Sequence, residues 1–409
     1  MFELLTYIFV LAGIQGILLF ILLFTRKQNH SANLILGSGI LVLSLDLFLS
    51  AAFMNRWYLQ FPHLLGVNYA FPFFYGPIFY LYVRALTGRE QGFPKSLFHF
   101  IPYLFIVLYM LPDFMLSSEL KIVFINNLIE KQPLSYIIFD HIKPVHGIIY
   151  TLLTIKEVKD HNHRIKDSFS NIDRINLAWL KNLVTGMVII WSIVALSVLI
   201  DDILNTSFSG YDAFIYFAIS ILVYSIGYIG LNQPEIFKQG TRAQAEACAT
   251  IFAAQDLSYA FPGTKSADEE NQPEQRYRKS GLSESVAEDI ARQLIKLMDQ
   301  EKPYLDTELT LRSLSDKLNV SPHNLSEVIN TKLGQSFFDF VNRYRVEEFK
   351  KKLEYPELSN YNLLAIAMES GFNSKTSFNM IFKKYTQMTP SQYRAMSKDR
   401  QSSLTKNVS

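Results

Sequence analysis

The sequence is poor in cysteine: Cys248 stands alone among 409 residues. One thiol closes no bridge within the chain, so a disulfide-stapled fold is excluded. Net charge is nearly absent as well, with 39 Lys and Arg against 37 Asp and Glu. That excludes a chain that is basic throughout, but not a local basic surface. No Gly-X-Y period occurs, and 49% apolar residues are too many for a disordered chain. Catalytic signatures are missing too: no HExxH, GxSxG, phosphate-binding loop or paired-aspartate prenyl-transfer pattern is found, and Asp201-Asp202 lacks the surrounding residues of the last. The expectation is a protein that is not an enzyme, with no cofactor and no metal. His161 and His163 are a weak metal pair.

Charge is scarce in one part of the chain only. Residues 1–234 hold 29 charged side chains, and the remaining 175 residues hold 47. The second density is that of an ordinary soluble protein, about 25%; the first is far below it. Residues 4–25 carry no charge at all, and a bilayer core of about 30 Å is crossed by about 20 apolar helical residues. No basic residue precedes this stretch, which argues against a cleaved signal peptide. Six further candidates lie at 32–54, 67–86, 97–116, 135–157, 177–200 and 212–231, which predicts a seven-span bundle over residues 1–233.

The loop charges give an orientation. Arg26 and Lys27 come after the first candidate, Arg84, Arg89 and Lys95 after the third, and Lys156, Lys159, Arg164, Lys166 and Arg174 after the fifth. The alternate loops are poor in basic residues. Basic loops face the cytoplasm, so the N-terminus is expected outside and the C-terminus inside a bacterial cytoplasmic membrane.

Ionisable residues inside spans are expensive and mark function by default. Asp46, Asp140, Lys143 and His146 are the candidates for sensing a signal. Asp140 and Lys143 are three apart, so they share a helix face and can pair; a structural ion pair is the plainer reading. Pro72 and Pro77 bracket an aromatic stretch, where freed carbonyls can shape a pocket or a packed kink. Residues 213–233 contain no lysine, which excludes a retinal Schiff base there.

Residues 234–283 read as a partly disordered linker, polar and apolar-poor at 262–281. Ser285 and Glu288 have capping-box spacing, and helical periodicity begins there. Residues 284–400 read as an all-α domain and 401–409 as a disordered tail. Two segments have a helix-turn-helix rhythm. In 309–334, Ser321 suits an N-cap and Pro322 the first helical position. Its outer face carries His323, Ser326, Glu327 and Asn330. In 362–394, Ser374 suits the N-cap, and Lys375, Thr376, Asn379 and Met380 point outward. Between Ser370 and Arg400 there are six basic residues and one acidic residue, the local footprint that a polyanion requires.

The stretch GFNSKTSFNMIFKKYTQMTPSQYR resembles the C-terminal signature of the AraC/XylS family of bacterial transcription regulators. KPYLDTELTLRSLSDKLNVSPHNLSEVIN resembles its first helix-turn-helix, and FFDFVNRYRVEEFKKKL its connecting helix. Gln387 departs from the family's usual glycine and Met380 from a common basic residue. The resemblance implies two recognition helices entering successive major grooves. His323, Ser326, Glu327 and Asn330 would face bases in the first, and Lys375, Thr376, Asn379 and Met380 in the second. Lys383, Lys384 and Arg394 would touch phosphates. Promoter DNA and RNA polymerase are the implied partners, with a homodimer common in the family. The lipid bilayer and an unidentified ligand or signal complete the expected set. The expected function is a membrane-anchored transcription regulator. A transporter with a regulatory helix-turn-helix tail, or a sensor that has lost DNA binding, are the other readings.

Overall fold

The structure, a computed structural model, describes residues 2–27, 30–89, 92–130, 132–173, 179–204, 212–232, 282–355 and 361–397. Most of the expected linker, with Cys248, and the whole expected tail lie outside them. The described residues are helical; their one β-type pairing is an isolated antiparallel bridge between Phe169 and Thr310. The chain divides into two units. One comprises Met1–His161 and Leu177–Ala253, the other Asn162–Asn176 and Ala254–Ser409.

The first unit holds α1 (Phe2–Thr25), α2 (His30–Met54), α3 (Pro72–Leu86), α4 (Phe93–Leu97), α5 (Ile101–Phe114), α6 (Ser118–Glu130), most of α7 (Leu134–Ser168), α8 (Leu180–Leu204) and α9 (Asp212–Asn232). Helices thus lie at all seven expected positions, with α4 and α5 sharing one. Among the described residues four stretches are long and apolar enough to cross a membrane: Glu3–Thr25, His30–Met54, Pro94–Phe114 and Leu180–Leu204. Ala213–Ile226 is a shorter apolar helix. The sequence reading left two features out. α6 is a helix within the loop after the fourth candidate, and α7 continues well past residue 157.

Helix α2 packs against α1, α3 and α9. The core there is apolar, with Phe9, Leu36, Ile40, Tyr82, Leu183 and Val223 buried. The outward faces are apolar too: Leu4, Leu18, Phe105, Leu152, Leu199 and Phe214 are each more than half exposed. Helices hydrophobic all round require an apolar surround.

In the second unit, α10 is Glu284–Glu301, α11 Leu311–Leu318, α12 Pro322–Thr331, α13 Phe337–Glu354, α14 Leu363–Glu369 and α15 Lys375–Thr386, and a final helix covers residues 390–397. The expected capping box at Ser285 is not the start of α10. Ser283 is the N-cap and accepts from the Val286 amide, because Ser285 already lies inside the first turn. Ser321 and Ser374 cap α12 and α15 where the sequence puts them, and Thr310, which the sequence reading did not single out, forms a reciprocal box with Ser313 at the start of α11.

Two apolar cores fill this unit, and α13 serves both. Phe337, Phe340 and Val341 enter the core built with α10, α11 and α12. Phe338, Val346, Phe349 and Leu353 enter the core built with α14 and α15. The i, i+3, i+4 spacing of each set puts it on its own face of one helix. Each buried Phe contributes about 2–3 kcal/mol of transfer free energy, so one rigid helix ties two small lobes together.

Candidate nucleic-acid interface and an internal cavity

Helix α15 is built to present one face. Ser377, Phe378, Ile381 and Phe382 are buried, and Phe349 of α13 meets the rings of Phe378 and Phe382 at 4.7 and 5.2 Å. Lys375, Thr376, Asn379, Met380, Lys383 and Lys384 are exposed along the opposite side, and Tyr385 and Thr386 at the end of the helix are half-buried. No side-chain bond among the described residues ties down Lys375, Thr376, Asn379 or Lys383. Lys384 is engaged, 2.6 Å from an Asp339 carboxylate oxygen. Arg394 donates to the Tyr361 carbonyl at 3.1 Å. The three expected phosphate residues therefore differ, and Lys383 is the most available.

Helix α12 is the counterpart. Leu325, Val328 and Ile329 are buried. His323 and Asn330 are exposed, while Ser326 and Glu327 are half-buried. Asn330 donates to the Ser326 hydroxyl at 3.3 Å, so these two act as one polar patch.

Of the two ways the chain could turn at Gln387, without a positive φ or with strain, the structure takes the strained one. Gln387 ends α15 with φ 59°, the left-handed region that costs a residue with a Cβ about 1–2 kcal/mol. Its side chain donates to the Lys384 carbonyl at 3.0 Å, which offsets part of that cost.

A residue that sequence reasoning missed lies beneath both lobes. Arg345 on α13 is 2% exposed. Its guanidinium donates to the Tyr304 and Asp306 carbonyls at 2.8 and 2.7 Å, to Asn342 Oδ1 at 3.2 Å, and to Ser170 O and Oγ at 3.2 and 3.1 Å. Burial pushes the guanidinium down to about 10, and Asp306 and Glu308 oppose that shift; the group stays charged at neutral pH. Gly371 makes room for this pin. It has φ +93°, and a Cβ there would overlap the Tyr304 carbonyl and come 3.0 Å from Arg345 Nε. The only hint in the sequence is a basic residue on an otherwise apolar helix face.

The comparisons with known proteins bear on this unit. Residues 314–396 match the family described as "Helix-turn-helix domain". The C-terminal unit carries an AraC-type helix-turn-helix domain. An uncharacterized HTH-type transcriptional regulator of Staphylococcus aureus (strain COL) is 33% identical over 99 residues, 24% of this chain and 13% of that protein. The transcriptional regulatory protein HptR of Staphylococcus aureus (strain NCTC 8325 / PS 47) is 31% identical over 98 residues, 24% of this chain and 37% of HptR. The similarity thus covers well under two thirds of either relative. No solved structure matches the chain. The AraC-type domain is a DNA-binding domain of transcriptional regulators, and α12 and α15 are the second helices of its two helix-turn-helix units.

The first unit contains a cavity of about 670 Å³, within the size range of small-molecule sites. Asp46, Asp140 and Lys143, three of the four expected sensing residues, line it. The buried Asp46 carboxylate accepts from Asn68 at 2.7 Å and from the Tyr75 hydroxyl. Asp140 accepts from Lys143 at 2.7 Å, Tyr69 at 2.9 Å and Gln132 at 3.1 Å. The Lys143 ammonium also lies 3.4 Å from the Tyr69 ring centre. His146 does not line the cavity; it packs between the rings of Phe73 and Tyr150 at 5.3 and 4.8 Å. Asp113, Lys121, Tyr136 and the His141–Asp202 pair join the lining. They were not legible because they come from several different helices. The lining comes from the C-terminal parts of α2, α5 and α8, from the N-terminal parts of α3, α7 and α9, from the segment joining α2 to α3, which supplies Asn68 and Tyr69, and from α6; in an up-and-down arrangement these lie at one end of the unit.

Proposed function

We propose that this protein is a membrane-anchored, sequence-specific transcription regulator of a bacterial cytoplasmic membrane. Its first unit senses a signal and its AraC-type domain binds promoter DNA. The observation that carries the reading is the pair of recognition helices, α12 and α15, joined by the single helix α13 and each presenting an outward polar face.

Base edges are read by side chains near a recognition helix's N-terminus. In the proposal Lys375, Thr376, Asn379 and Met380 read one half of the site, and His323, Ser326, Glu327 and Asn330 the other. Lys383 anchors a phosphate, helped by Lys384 and Arg394 when they leave their present acceptors. RNA polymerase and a second copy of the chain are the protein partners this role calls for.

Seven spans are supported by helices at all seven positions, by the apolar outward faces and by the alternation of basic loops. That alternation supports an N-terminus outside, and in that orientation the cavity's end of the unit lies at the outer face. An amphipathic small molecule from outside suits its mixture of aromatic walls and carboxylates. A ligand acts only by binding two states of the unit unequally, and the Asp140–Lys143 pair is the polar contact best placed to tell them apart.

The test is duplex selection from a random library by full-length protein in lipid nanodiscs, repeated with Lys375→Ala/Asn379→Ala. A defined motif lost in the double variant is expected. Enrichment of no motif, or the same motif from both, would refute sequence-specific binding through α15.

A further inference from the structure

The second unit includes a segment that is remote in the sequence from the AraC-type domain. Residues Asn162–Asn176, the end of α7 and the stretch just after it, fold with residues after 254. Ile165 and Ile172 are buried in the same core as Phe338, Val346, Ile366 and Phe372, with Phe169 packed against it. Phe169 bridges to Thr310, and Ser170 donates to the Leu309 carbonyl through both its amide, at 3.2 Å, and its hydroxyl, at 2.6 Å. The Ser170 carbonyl in turn accepts from Arg345 and from Asn342 at 3.2 and 3.0 Å. The segment is therefore pinned at its middle by a buried guanidinium.

Its far end reaches the recognition helix. Ser374, the N-cap of α15, donates to the Asp173 carboxylate at 2.6 Å while accepting from the Ser377 amide at 3.1 Å. The next residues are Lys375 and Thr376, the first of the exposed face. A helix N-terminus favours an anion, and in a DNA complex the anion at a recognition helix's N-terminus is a backbone phosphate. Here the position is taken by a carboxylate of the same chain.

We propose that residues 162–173 are a strap that regulates the AraC-type domain, and that Asp173 competes with a DNA phosphate for the N-terminal end of α15. The proposal rests on the DNA-binding reading above. Strap and cavity share α7, which supplies Tyr136, Asp140 and Lys143 to the cavity lining and runs unbroken to Ser168. A signal that shifts α7 along or about its axis moves the strap, and Asp173 with it. Asp173 clears the site only when the strap lifts from the domain at Phe169 and Ser170 as well as at its end.

Two variants of the full-length protein in neutral-lipid nanodiscs test this, with a duplex of about 30 base pairs at low salt as the probe, long enough to span both recognition helices. Asp173→Asn keeps an acceptor for Ser374 and removes the charge. It is expected to tighten DNA binding about threefold or more, with the gain shrinking as salt screens the repulsion. Equal or weaker binding than wild type would overturn the competition.

The second variant is Phe169→Cys/Thr310→Cys in a Cys248→Ser background. Antiparallel bridge partners lie within disulfide reach. The oxidised form, with the strap held down, is expected to bind DNA about tenfold more weakly than the same protein after reduction, a comparison in which the lost Thr310 cap cancels. Failure of the disulfide to form, or equal binding by the two forms, would refute the strap. If no form, wild type included, binds DNA even at low salt, the DNA-binding reading itself falls and takes the competition with it; crosslinking without any DNA binding identifies that case.

Discussion

Gln387 shows what one residue settles. The chain turns there with φ 59°, where glycine is at ease and glutamine is not. Gln387→Gly should raise the stability of the AraC-type domain by about 1 kcal/mol, less than the full conformational relief because the bond to the Lys384 carbonyl is lost. A urea midpoint read by pulse proteolysis checks it; an unchanged or lower midpoint would contradict it. On the DNA side, Lys375 and Lys383 should separate. Lys375→Ala should cost about 1–3 kcal/mol on the preferred sequence and relax the choice of base there. Lys383→Ala should weaken binding to all sequences alike and reduce the salt slope by about 1. Salt titrations on matched and scrambled duplexes distinguish the two.

At the scale of the element, α13 holds two lobes and the buried Arg345. Arg345→Met should destabilise the second unit by about 3 kcal/mol or more, because the Tyr304, Asp306 and Ser170 carbonyls lose their donor. Gly371→Ala should act the same way through steric overlap. Both are read as loss of protease resistance of the second unit in urea.

The same unit has a pH signature. Burial first, and then Glu348 and Asp339, raise the phenols of Tyr304 and Tyr385 above their ordinary value. A phenol that holds its proton longer when folded contributes fully below about pH 10 and loses that contribution as pH rises beyond it. Stability should therefore fall above about pH 10, and Tyr304→Phe/Tyr385→Phe should flatten that fall. An alkaline decline of equal steepness in the double variant would contradict the assignment.

Elements also show where sequence reasoning reached and where it stopped. The caps Ser321 and Ser374 and the buried stripes of α12 and α15 were legible, because capping and 3.6-residue periodicity are local. The outward polar faces, proposed to read bases, emerged as their complement. Helix α6 and the extension of α7 were not, because hydropathy reading looks for spans and these residues are too polar to be one. The docking of Ser170 and Asp173 on α13 and α15 was not legible either. It joins residues some 170–200 positions apart, and no local pattern encodes such a contact.

At the scale of the whole molecule, the near-zero net charge conceals a segregated chain. The first unit is largely apolar on its inner and outer faces, and the second has an ordinary density of charge with exposed lysines along α15. In the proposed function the cavity is where the first unit would take its signal. Replacing both Asp140 and Lys143 by apolar residues of similar volume should leave the fold intact, since the pair is removed together, while uncoupling DNA occupancy from the signal.

The central claim is that one protein sits in a membrane and reads promoter DNA. It is tested most directly by mapping the DNA bound by the full-length chain in intact bacteria, with the membrane fraction assayed from the same culture. The account predicts a membrane-bound protein and discrete promoter peaks that vanish with Lys375→Ala/Asn379→Ala. A protein recovered in the soluble fraction, or peaks that persist in the double variant, would contradict it.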